Sequence, residues 1–104
     1  MKKLVRDKIP EIIRKRGEVP LFYVAMESEY KRCLHEKLIE ESNELNSASK
    51  VEDIKTEIAD VLEVLDAIMK THGIVQTEIM DIKAHKRNER GGFDRHYILD
   101  MGEK

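Results

Sequence analysis

Four carboxylates stand where two helices should be apolar. The stretch His35–Leu45 is HEKLIEESNEL, and a little further on Thr56–Leu65 is TEIADVLEVL. At about 100° per residue, Leu34, Leu38 and Leu45 form an apolar stripe, with Glu41 inside it and Glu44 at its edge. In the second stretch Ile54, Ile58, Val61 and Leu65 form the stripe, with Glu57 within it and Asp60 on its flank. Burying an unpaired carboxylate costs several kcal/mol, so inward acids demand a compensating cation. Side chains three apart on a helix are neighbours, so Glu41 with Glu44, and Glu57 with Asp60, can each grip an ion from one side. Four oxygen donors without an inward His or Cys favour Mg²⁺, with Mn²⁺ as the second choice, over Zn²⁺. Such an ion keeps positions for phosphate oxygens, and with cations on a third helix this is equipment for phosphoryl chemistry.

The elements that must hold these acids are helical. Pro10–Arg16 is expected as a short helix, with Pro10 in its first turn and Gly17 as terminator. Glu18–Ala25 is long enough for an extended connector or one edge strand. A long helix runs from about Ser28 to Ala48. Ser49 and Glu52 form an S-x-x-E capping box for the next helix, which runs to His72 with Gly73 as its C-terminal cap. A fourth helix covers about Val75–Arg90, its stripe Val75, Ile79 and Ile82 continuing to Lys86, a cation on the face that should meet a core. Gly91–Gly92 end it. The tail Asp94–Lys104 either covers a neighbouring subunit or frays.

Composition agrees. With 104 residues, 38% charged, 5% aromatic and no Trp, the chain suits one all-α domain, residues 1–104, built as an antiparallel bundle of about four helices. A core this small is often completed by oligomerisation. A net charge of −2 with dispersed Lys and Arg gives no nucleic-acid-binding surface. No apolar run nears the roughly 20 residues needed to span a bilayer, and MKKLVRDKIP lacks the apolar core of a signal peptide, so a cytoplasmic, membrane-free protein is expected. Cys33, the single cysteine, excludes an intrachain disulfide and is expected to be catalytically unimportant. His72 suits a helix C-terminus and His35 a helix surface; neither they nor His85 and His96 have a nucleophile at helical spacing.

The pattern E-x-x-E, twelve residues, E-x-x-D resembles the signature of the MazG-type all-α nucleoside triphosphate pyrophosphohydrolases. The opening LVRDKIPEII, the central EKLIEESNEL and EIADVLEVLDAI, and the closing KRNERGGF resemble its phosphoribosyl-ATP pyrophosphohydrolase-like subgroup, from about Leu4 to Leu99. The resemblance implies a homodimer or homotetramer that cleaves a nucleotide between its α and β phosphates in a Mg²⁺-dependent reaction. Carried over, Glu41, Glu44, Glu57 and Asp60 would be metal ligands, and Lys86 and Arg90 would contact phosphates. Lys83, Arg6 and Lys8 are further phosphate candidates, and Asn88 a candidate for base or ribose. Glu41, deepest in its stripe, is the first choice as general base, with Glu40 in reserve. The alternatives are a non-enzymatic oligomerisation or regulatory module with a structural ion, and phosphoribosyl-ATP hydrolysis itself. Lys86 with Arg90 separates the first from an enzyme, because a structural site already neutralised by a divalent ion has no use for extra inward cations.

Overall fold

In a computed structural model that describes residues 2–100, the chain is all-helical, and no strand occurs among the described residues. Helix α1 spans Ile9–Lys15, α2 Glu27–Ser47, α3 Val51–Thr71 and α4 Gln76–Arg90. The chain divides into two compact units, Met1–Gly73 and Ile74–Lys104.

In the first unit, α2 and α3 pack along one another. Residues 48–50 are all that join them, a connection so short that the helices run antiparallel. Their seam is centred on Leu34 and Val64, which are 3% and 7% exposed. Here the sequence expectation for α3 needs correcting. Ile58 and Leu65 are 44% and 37% exposed, while Val64, outside the expected stripe, is buried. The apolar surface of α3 is wider than one neighbouring helix covers. The part facing α2 follows Glu57, Val61 and Val64, which turns Glu57 further inward than the stripe implied.

The capping box does not form. Helix α3 begins at Val51 with Lys50 as its N-cap, and no side chain caps it. Ser49 therefore lies one residue outside the cap, and the Glu52 carboxylate instead accepts from Lys55 Nζ at 3.3 Å. The far end is as expected: His72 caps α3 and Gly73 follows at φ +64°, the left-handed conformation that glycine adopts without a Cβ clash.

Residues 18–26 form an irregular connector and not an edge strand. Pro20 removes one backbone donor, and no strand among the described residues offers it a ladder. Ahead of α1, residues 2–8 also run without regular structure. In the second unit the Val75 N–H donates to the Glu78 carboxylate at 3.0 Å, which tightens the first turn of α4. Arg87 at the other end of α4 pairs with Asp94 at 3.4 Å. No residue of α4 is buried: Ile79, Met80 and Ile82 are 38%, 52% and 55% exposed. Lys86 is exposed with them, so a core-facing Lys86 is not found in the single chain. Residues 101–104 of the tail lie outside the described residues.

Candidate metal centre

Helix α2 carries Glu41 into its seam with α3. Glu41 is 7% exposed, the one buried charged residue among the described residues. Its backbone position leaves it no choice, since Leu34 seven residues earlier is the most buried position of the same face. One turn on, Glu44 sits at the exposed edge; across the seam, Glu57 of α3 is half-buried. One carboxylate oxygen from each of Glu41, Glu44 and Glu57 lies within 4.8 Å of the others.

Like charges this close raise one another's proton affinity. The Glu57 carboxyl is pushed above the usual carboxylate range, first by desolvation, then by a hydrogen bond shared with Glu44 and by the charges of Glu44, Asp60 and Glu41. Compensation inside the unit is incomplete. Lys37, one turn before Glu41 on α2, places its ammonium 3.4 Å from Glu41 Oε1 and 3.6 Å from Glu40 Oε2. Glu41 Oε2 and Glu57 Oε2 are buried with no hydrogen-bond partner. Two orphaned buried oxygens in a cluster of acids leave a site short of positive charge, and an all-oxygen donor set fits Mg²⁺ or Mn²⁺.

Asp60 stands apart from the other three. Its Oδ1 accepts from Arg6 Nη2 at 2.7 Å, an ion pair that ties the N-terminal segment to α3. Lys3 ties the same segment to α2 through Glu40 at 3.2 Å. That bond, with the charge of Lys37, holds the Glu40 carboxyl below its ordinary range and makes it a poor general base. Beneath the segment lies a cavity of about 360 Å³. Leu4, Val5, Tyr30, Leu34 and Val64 give it apolar walls, and Arg6, Lys8, Lys37, Glu41 and Asp60 bring charge to it. It falls within the size range of small-molecule sites, about 300–1,000 Å³.

Lys37 is not a residue that the sequence pattern singles out, though its spacing of four from Glu41 is a usable signal for a partner of an inward acid. Lys83, Lys86, Asn88 and Arg90 lie on α4, all exposed, in the second unit. Lys8 lines the cavity and is also exposed. His72 caps α3 and His35 is exposed on α2, the positions expected from the sequence.

No known family's sequence model matches this chain. No solved structure matches it. A protein of Mycolicibacterium smegmatis, itself described as uncharacterised, is 46% identical over 48 residues. That alignment takes in 46% of this chain and 49% of the relative, so it spans about half the length of each. No helix among the described residues is long and apolar enough to cross a membrane.

Proposed function

We propose that this chain is a Mg²⁺-dependent nucleotide pyrophosphohydrolase of the MazG-like type, hydrolysing a nucleoside triphosphate to the monophosphate and pyrophosphate. The observation that carries the reading is Glu41, a buried carboxylate with an orphaned oxygen, gathered with Glu44 and Glu57 within 4.8 Å. Glu41, Glu44 and Glu57 would hold the ion. When bound, the ion supplies positive charge against the phosphate oxygens and makes water a better nucleophile.

The chain's own residues do the rest. Glu41 accepts the proton of the attacking water as its oxygen bonds to the α phosphorus. The bond from that phosphorus to the α–β bridging oxygen breaks, and pyrophosphate leaves with the bond's electrons. Lys86, Arg90 and Lys83 on α4 are the residues to which the resemblance assigns the phosphate oxygens, the two former as the principal contacts. Lys86→Ala then weakens nucleotide binding by roughly tenfold, the value of one charge-assisted hydrogen bond, while Mg²⁺ binding stays within about twofold. Calorimetric titration with each ligand separates the two, and equal losses would make Lys86 structural. The reaction itself is tested by metal-dependent release of pyrophosphate and monophosphate in equal amounts from a nucleoside triphosphate.

The working unit in this reading is a homodimer or homotetramer. Leu34 and Val64 are the buried apolar side chains among the described residues, while Ile58, Leu62 and Leu65 leave a row of exposed apolar surface on α3. A row of this kind is matched by a second copy of itself in a symmetric interface. Leu62→Glu places a charge in that row and should convert the assembly to monomers in sedimentation velocity. An unchanged mass for this variant, or a wild-type protein that is already monomeric, contradicts the assembly.

A further inference from the structure

The Arg6–Asp60 ion pair sets a problem that the carboxylate cluster alone does not answer. Asp60 is close enough for its charge to act on Glu57, yet it is absent from the three carboxylates that converge, and its Oδ1 instead accepts from Arg6 Nη2 at 2.7 Å. Arg6 in turn lines the same cavity as Glu41, whose side chain is more than nine-tenths buried and whose Oε2 lacks a partner. The Arg6 side chain is 56% exposed and that of Asp60 31%, so water and dissolved anions reach the pair. Exposed pairs of this kind are weak and readily exchanged. Arginine is also the side chain whose planar fork matches phosphate in two parallel hydrogen bonds.

We propose that Arg6 is a phosphate-binding residue, and that it takes the polyphosphate of the ligand by releasing Asp60, which then joins Glu41, Glu44 and Glu57 around the ion. The inference rests on the pyrophosphohydrolase reading and assigns it a residue outside the helices. In the free chain Arg6 neutralises an acid that would otherwise add a fourth like charge to a strained cluster. In the loaded site the ion takes over that neutralisation and Arg6 serves the phosphates, so anion and ion bind better together than apart. The exchange needs movement of residues 2–8, which lie outside any helix and are fastened to α2 by the separate Lys3–Glu40 pair, and a rotation of the Asp60 side chain on α3.

Two binding measurements on the full chain test this, with Lys3→Ala as the control that loosens the same segment without touching Asp60. The first is Mn²⁺ binding by electron paramagnetic resonance without phosphate; the second is tripolyphosphate binding by calorimetry in saturating Mg²⁺. Arg6→Ala should tighten Mn²⁺ binding several-fold, because Asp60 is freed, and weaken tripolyphosphate about tenfold. Lys3→Ala should change neither by more than about twofold. Tripolyphosphate binding unaffected by Arg6→Ala, weaker Mn²⁺ binding in that variant, or equal effects of the two variants would each overturn the exchange. Absence of Mn²⁺ binding in the wild type is a different failure, one that removes the metal reading and the exchange with it.

Discussion

Glu41→Gln should lower kcat for nucleotide hydrolysis by on the order of 10²–10⁴-fold, the range lost with a general base, while the helical circular dichroism stays at the wild-type level. The amide keeps the volume and shape of the carboxylate, so Leu34 and Val64 pack as before around it. What disappears is a negative charge and a proton acceptor. The charge is the one that Lys37 answers at 3.4 Å and that leaves Oε2 without a partner. In the ion-free protein the loss of that pair is offset by relief of repulsion against Glu44 and Glu57, so the melting temperature should move little. With Mg²⁺ present the variant should gain far less stability than the wild type, because one ligand has become a poor donor for a hard cation. A variant that keeps wild-type turnover, or one that unfolds, would show that Glu41 serves the core and not the chemistry.

Mg²⁺ itself should stabilise the wild-type protein strongly. A ligand that binds the folded chain alone, at about 100 times its dissociation constant, contributes about 2.7 kcal/mol. For a domain of this size that corresponds to a rise of about 10–20 °C in melting temperature. The effect should shrink as pH falls. The Glu57 carboxyl lies above its ordinary range in the folded chain, so its contribution favours the ion-free fold in acid and is lost as pH rises through the raised value. A proton on Glu57 also displaces the ion that the carboxylate would hold. Calcium-free differential scanning calorimetry with and without Mg²⁺, at neutral and at mildly acidic pH, reads both effects. A shift independent of pH, or no shift at neutral pH, contradicts a carboxylate site at Glu57.

Glu41 and Glu57 are legible because each interrupts an apolar pattern. Glu41 lies among leucines at helical spacing, and the single chain buries it; Glu57 follows by the same reasoning on α3. The helix order was equally plain, since Gly17, Gly73 and Gly91 punctuate it and all three adopt positive φ. Other features depend on packing that periodicity does not carry. Val64 is buried although Ile58 and Leu65 look better placed, because the width of an apolar face does not say which side of it meets the neighbour. Ser49–Glu52 has the residues of a capping box, yet α3 starts at Val51. Which cation meets which acid is hardest of all. Lys37 is within reach by spacing, but Arg6 and Asp60 are 54 residues apart and are joined only by the path of an irregular segment.

The most direct measurement is hydrolysis of a panel of standard and modified nucleoside triphosphates in ¹⁸O-labelled water, with and without Mg²⁺, followed by mass spectrometry of both products. The account predicts equal pyrophosphate and monophosphate, dependent on Mg²⁺, with the label in the monophosphate because water bonds to the α phosphorus. Label in the pyrophosphate, orthophosphate as the product, or no turnover of any nucleotide by a folded, Mg²⁺-binding protein would contradict it.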